Sequence, residues 1–183
     1  MSIHPITIAA QRGVSLVEAM CVLVIVSLTI GGAMPSLASL RQKAELTGAA
    51  AQLETDVQFA RGQAVALNRT VQLTLREANG ATCYILHTGP AANCACGKQE
   101  PNAASCSDGS ELLRAVSFGN QSLVQVRSVS KSLTFDPVKG TVTPTATLRV
   151  EARDGQAIHQ VVNLLGRVRS CSPQGRVAGE RAC

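Results

Sequence analysis

Twenty-two consecutive residues, Ala19 to Leu40, carry no charged side chain and lie between Glu18 and Arg41. About 20 apolar residues match the hydrocarbon core of a bilayer, so this run predicts a membrane-spanning helix. It also explains why charged residues make up only 16% of the chain, against about a quarter in an ordinary soluble domain. A secretory signal peptide would begin with a basic stretch, continue through a short apolar segment and end at a small-residue cleavage site. Here the order is inverted, because thirteen largely polar or weakly apolar residues ending in Gln11-Arg12-Gly13 come first.

Glu18 stands at the mouth of the apolar run. A carboxylate in hydrocarbon costs at least about 2.5 kcal/mol, so an acid here is either paired or held at the interface. The stretch Arg12-Gly13-Val14-Ser15-Leu16-Val17-Glu18 resembles the prepilin motif of type IV pilins and type II secretion pseudopilins. The resemblance implies cleavage between Gly13 and Val14 by a membrane aspartyl prepilin peptidase, followed by N-methylation of Val14, which stands where the family usually has Phe. It further implies that Glu18 is a filament-assembly residue, pairing with the N-terminal amine of a neighbouring subunit. Two opposite charges buried together cost far less than either alone.

Beyond the apolar run, Pro35 and Gly31-Gly32 are expected to kink or weaken the helix. The positions Leu37, Leu40, Ala44, Ala50, Leu53, Val57, Ala60, Ala64 and Leu67 recur mostly at threes and fours, the pattern of an amphipathic helix. Its polar face is expected to carry Arg41, Lys43, Glu45, Glu54, Asp56 and Arg61, with Phe59 and Leu67 in the core. From Asn68 the period shortens to two. Strands are predicted over Thr70–Arg76, Cys83–His87, Leu112–Phe118, Leu123–Val129, Leu133–Phe135, Thr145–Ala152 and Ala157–Leu165, with hairpin signals at Asn79-Gly80 and Asp154-Gly155. A helix followed by strands is an α+β fold, a long N-terminal helix packed on an antiparallel β-sheet domain.

Seven cysteines in 183 residues point to an oxidising compartment. Cys21 falls in the apolar run and is expected to stay free. Cys83, Cys94, Cys96 and Cys106 surround or lie within a long loop, 88–110, and a loop of that length calls for staples or a function. Zinc ligation by these four fits poorly, since Cys94-Ala95-Cys96 is tighter than the usual spacing of two to four intervening residues. Six cysteines allow 15 disulfide connectivities; the preferred one joins Cys171 to Cys183 and pairs the other four among themselves. No cofactor is implied. His4, His87 and His159 are scattered, no nucleophile–base pair emerges, and the chain does not read as an enzyme.

Positive charge collects at the C-terminus, where Arg167, Arg169, Arg176 and Arg181 oppose the single acid Glu180, a net +3 over 18 residues. In a strand Arg167 and Arg169 point to one side, about 6.5 to 7 Å apart, a spacing suited to successive phosphates. Arginine also makes bidentate phosphate contacts that lysine cannot, and Gly166 permits close backbone approach. A solvated basic edge that discourages strand addition is the alternative. With three Phe, one Tyr and no Trp, a base-stacking platform for single strands is excluded.

The segments Leu133-Thr134-Phe135-Asp136-Pro137, Asp154-Gly155 and Asn163-Leu164-Leu165-Gly166-Arg167-Val168-Arg169 resemble the C-terminal half of the FimT/GspH family of minor pilins and pseudopilins. Gly166-Arg167-Val168-Arg169 is similar to the G-R-x-R signature of its FimT-like members, which implies binding of extracellular double-stranded DNA during natural transformation. The organisation this implies is a leader at 1–13, a transmembrane assembly helix at 14–40, an amphipathic half at 41–68 and a periplasmic domain at 69–183 with its basic tail at 166–183. The protein is expected in the bacterial inner membrane as a single-pass chain and then at the pilus surface. Its expected partners are other pilin subunits, the prepilin peptidase and DNA; a structural pseudopilin of a type II secretion system is the alternative.

Overall fold

A computed structural model describes residues 15–78, 80–97, 104–107 and 109–183, with the side chains of 30–36, 78 and 174 outside that description. The expected leader, its cleavage glycine Gly13 and the methylation site Val14 lie outside the described residues. The chain divides into two compact units, Met1–Leu40 and Arg41–Cys183.

Helix α1 spans Leu16–Leu67 without interruption at Pro35, so the local break that is the alternative to a kink there does not occur. In the first unit its large apolar side chains, among them Leu16, Val17, Met20, Leu23, Ile25 and Leu28, are exposed. A helix apolar all round requires a nonaqueous or helical environment to cover it. Among the described residues no helix is long and apolar enough to cross a membrane; the expected span falls partly on residues outside the description. Glu18 lies in the first turn of α1 and is exposed.

In the second unit α1 buries Leu46, Ala50, Leu53, Val57, Ala60 and Ala64, a spacing of three, four and seven that keeps one stripe against the sheets. Leu37, Leu40, Ala44 and Leu67 belong to the expected stripe but are exposed. Leu67 fails because the helix ends there: Asn68 adopts φ +47° and turns the chain into the first strand. Asp56 also departs from expectation. Placed on the polar face by its charge, it is fully buried, held by Tyr84 and Arg114.

Among the described residues eleven strands follow: β1 (Val71–Ala78), β2 (Ala81–Thr88), β3 (Cys94–Cys96), β4 (Ala104–Cys106), β5 (Leu112–Phe118), β6 (Val124–Ser128), β7 (Ser132–Phe135), β8 (Val142–Thr143), β9 (Ala146–Ala152), β10 (Ala157–Val162) and β11 (Val168–Cys171). They form a five-stranded sheet in the order β5-β2-β1-β7-β8, a four-stranded sheet in the order β11-β10-β9-β6, and the small β3-β4 pair. All the strand pairings are antiparallel. Both larger sheets contribute to one core with α1, through Leu73, Tyr84 and Phe135 from the first and Val126, Leu148, Val150, Ile158 and Val162 from the second. The fold is therefore α+β, a helix on antiparallel sheet.

Two segments differ from expectation. The loop 88–110 contains the β3-β4 pair, in which Cys94 stands directly opposite Cys106; the strands are too short and too cysteine-interrupted to show a period. The strand expected to reach Leu165 ends at Val162, because Asn163 opens a turn before β11.

Candidate nucleic-acid interface

The turn between β10 and β11 organises the basic C-terminal segment. The Asn163 side-chain oxygen accepts hydrogen bonds from the backbone N–H groups of Leu165 (3.0 Å) and Arg167 (2.9 Å), and the Gly166 N–H donates to the Asn163 carbonyl at 2.9 Å. Such an asparagine folds the chain onto its own side chain. Gly166 closes the turn at φ +72°, a conformation that costs an L side chain strain. A Cβ there would meet Arg61 Cδ at 2.9 Å and Val142 Cγ2 at 3.2 Å.

The turn is seated on α1. Gln58 Nε2 donates to the Gly166 carbonyl at 2.9 Å, and Arg61 Nε donates to the Gly140 carbonyl at 3.0 Å. The β7–β8 connection around Gly140 is itself fixed: Asp136 Oδ1 accepts from the N–H groups of Val138 (2.9 Å) and Lys139 (2.7 Å). The Lys139 N–H bond, with the Val138 N–H and the Lys139 ammonium assisting against slight desolvation, holds the Asp136 carboxyl below its ordinary value. Val142 N–H donates to the Leu164 carbonyl at 2.8 Å, joining the two loops.

From this seat the chain enters β11, the edge of the four-stranded sheet. Arg169 lies opposite Val161 on β10. Val168 packs on the core, and the Ser170 hydroxyl donates to Gln160 Oε1 at 2.9 Å on the inner face. Alternation then sends Arg167 and Arg169 to the outer face. Both are exposed, as are Arg176 and Arg181, and none of the four side chains makes an ion pair or hydrogen bond among the described residues. The site thus offers unneutralised guanidinium groups on a backbone held by a helix, a turn and a sheet.

The tail beyond β11 folds back. Ser172 N–H donates to the Arg181 carbonyl at 2.7 Å, Cys183 N–H donates to the Ser172 carbonyl at 3.2 Å, and Val177 is buried. A disulfide joins Cys171 to Cys183, fixing Arg181 beside β11; two others join Cys83 to Cys96 and Cys94 to Cys106, while Cys21 is free and exposed. No cluster of potential metal ligands occurs among the described residues.

Gln58, Arg61 and Asn163 position this site, a role the sequence assigns to none of them. Asn163-Leu164-Leu165-Gly166 carries a local signal, an asparagine ahead of a glycine in a turn. Gln58 and Arg61 carry none, since their carbonyl partners are 108 and 79 residues away.

A family model described as type II transport protein GspH matches residues 49–166, more than half of the chain. No curated protein sequence matches. Among solved structures, the type IV minor pilin FimU of Pseudomonas aeruginosa in its P21 crystal form is 20% identical at a TM-score of 0.49, covering 74% of this chain and 97% of that one. Its P65 form is 20% identical at a TM-score of 0.47, covering 70% and 98%. Pilin-family membership implies a structural, membrane-anchored subunit that assembles with other pilin subunits in a filament. The match across most of the helix-on-sheet unit establishes that the chain belongs to the GspH family of pilin-like proteins.

Proposed function

We propose that this protein is a minor type IV pilin that binds the backbone of extracellular double-stranded DNA for uptake in natural transformation. The observation that carries this reading is the pair Arg167, just before the edge strand β11, and Arg169 within it, both exposed and neither in an ion pair among the described residues. Arg176 and Arg181 support it from the folded-back tail. Contacts of this kind are sequence-independent, because phosphates carry no base information.

The remaining roles follow the same reading. Prepilin peptidase cuts after Gly13, Val14 is methylated, and Glu18 pairs with a neighbour's amine during assembly. The chain resides in the inner membrane through its N-terminal helix, with the β-rich domain in the periplasm until it joins the pilus. The description of the matching family as a type II transport protein favours a second reading, a GspH-type pseudopilin of a secretion system. In that case the tail arginines contact a protein partner.

The test is an electrophoretic shift of the full chain in detergent micelles across a salt series, against the Arg167→Ala/Arg169→Ala variant. Each neutralised phosphate adds about 0.9 to the slope of log K against log salt, so the variant should lose about 1.8 of slope and most of its low-salt affinity. Equal binding by the two proteins at low salt would refute the DNA reading.

A further inference from the structure

The three disulfides differ in how far water reaches their sulfurs. Cys83 and Cys94 are buried, Cys96, Cys106 and Cys171 are half-buried, and among the described bonded cysteines Cys183 alone is exposed. A disulfide is opened by a thiolate that must reach one of its sulfurs, so access selects the Cys171–Cys183 bridge and, within it, Cys183.

The register of the four-stranded sheet leads to the same place. Arg127 on β6 stands opposite Arg149 on β9, Arg149 opposite His159 on β10, and His159 opposite Cys171 on β11. Their sequence neighbours Val126, Val150 and Ile158 are buried, so this row faces outward and crosses strands about 4.8 Å apart. Arg169, two residues before Cys171, shares the face. Arg127 and Arg149 are exposed, and like charges directly opposite destabilise a sheet. Glu77 comes only to 3.9 Å from Arg127, and Arg149 makes no ion pair among the described residues. The remaining acids near the row are Glu151, two residues from Arg149, and Glu180, three residues before Cys183.

His159 completes the arrangement. Its Nδ1 lies 3.9 Å from Cys183 Sγ. Burial, and then Arg149, hold the imidazole below its ordinary value against the opposing pull of Glu151, so the ring is neutral at pH 7 and open to a proton. Guanidinium groups concentrate an incoming thiolate and stabilise the one released, and a better-stabilised thiolate leaves faster.

We propose that Cys183 is a thiol–disulfide exchange site, at which an anionic thiol or dithiol opens the Cys171–Cys183 bridge after being drawn along the row Arg127–Arg149–His159. The external thiolate bonds to Cys183 Sγ, and the Sγ–Sγ electron pair departs with Cys171 as a thiolate, beside His159. A second external thiol then attacks the mixed disulfide and releases Cys183. The protein disulfide gains two electrons, and the external thiols are oxidised to a disulfide. Residues 172–183 then lose their covalent tie and remain docked through noncovalent contacts, the Ser172 hydrogen bonds and buried Val177 among them. The inference stands whether the tail arginines meet DNA or a protein.

The experiment uses full-length protein in detergent micelles with Cys21 alkylated beforehand. Anionic glutathione or cationic cysteamine is added in excess, and samples are acid-quenched, labelled with a second alkylating reagent and mapped by mass spectrometry. Label should enter Cys171 and Cys183 ahead of the other four cysteines, and the earliest glutathione adduct should sit on Cys183. Arg149→Gln should slow glutathione by about two- to fivefold, the range of one surface charge pair, and leave cysteamine nearly unchanged; Arg149→Lys should restore the rate. His159→Gln should slow both thiols. The opening rates of Cys83–Cys96 and Cys94–Cys106 report the integrity of each variant. If Arg149→Gln loosens all three bridges, Arg127→Gln, one strand farther from the sulfurs, makes the same comparison. Label entering the three bridges together, or an early adduct on Cys171, overturns the exchange site. Equal rates of glutathione opening in the arginine variants and the wild type overturn the guiding role of the row.

Discussion

Arg61 of α1 and Gly166 of the β10–β11 turn are in direct apposition: the arginine Cδ lies 2.9 Å from where a Gly166 Cβ would stand. That arginine is not free to retreat, because its Nε is bonded to the Gly140 carbonyl at 3.0 Å. The glycine ahead of the exposed arginines is therefore required by packing as well as by its φ of +72°.

Gly166→Ala is expected to destabilise the second unit by about 1–3 kcal/mol, combining backbone strain with displacement of Arg61. It should also weaken DNA binding while leaving every cationic group in place. Urea unfolding of the variant, alongside its DNA titration, checks both outcomes.

Asp56 is buried beneath the five-stranded sheet, where Tyr84 Oη donates to its Oδ2 at 2.7 Å and Arg114 donates to Oδ1. The Arg114 guanidinium also lies 4.7 Å above the Phe59 ring. Burial, reinforced by the Asp56 carboxylate, pushes the Tyr84 phenol above its usual range. Breaking a buried pair by removing one member costs about 3–5 kcal/mol. The Arg114 side chain is 41% exposed, so water recovers part of this, and Asp56→Ala should cost about 2–4 kcal/mol. Tyr84→Phe, which removes one charge-assisted bond, should cost about 1.5–3 kcal/mol. Chemical denaturation of the two variants orders them.

His87 is buried in β2, its Nδ1–H donating to the Thr88 carbonyl at 3.2 Å and its Nε2 accepting from the Thr74 hydroxyl at 2.9 Å. Burial lowers its pKa from 6.5, with Arg76 adding to the effect and the Thr88 bond opposing it. The unfolded chain thus binds a proton before the folded one does as pH falls. The neutral ring's contribution is complete above about pH 6.5 and is lost progressively below it. Unfolding free energies measured from pH 7.5 down to 5 should fall, and His87→Gln should flatten that dependence; a wild-type slope in the variant would count against it.

The Cys171–Cys183 bridge closes a sequence separation of 12. Replacing both residues with serine should cost about 2–4 kcal/mol. It should also free Arg176 and Arg181, so hydrogen exchange should rise over residues 172–183 before it rises in β10.

Much of this architecture was legible because it is local. The change from helical to alternating period at Asn68 marks the end of α1, and the arginines at 167 and 169 announce one face of a strand. Asp56 was misplaced because its charge is the only cue in the sequence, while the groups that bury it come from β2 and β5. Arg127 and Arg149 show the same limit: they are 22 residues apart and become neighbours only through the register of β6 with β9. Periodicity identifies the face of a strand, but it does not identify what stands on the strand alongside.

The bonds from α1 to the second sheet also determine how the domain bears tension. As an edge strand, β11 is paired with β10 on one side, and a pull on its arginines would tend to unzip that ladder. Gln58 on the Gly166 carbonyl, Gln160 on the Ala50 carbonyl and the Ser170 hydroxyl on Glu54 tie the turn, β10 and β11 straight to the helix. Load entering at β11 therefore reaches α1 through these three tethers in shear, without crossing the five-stranded sheet.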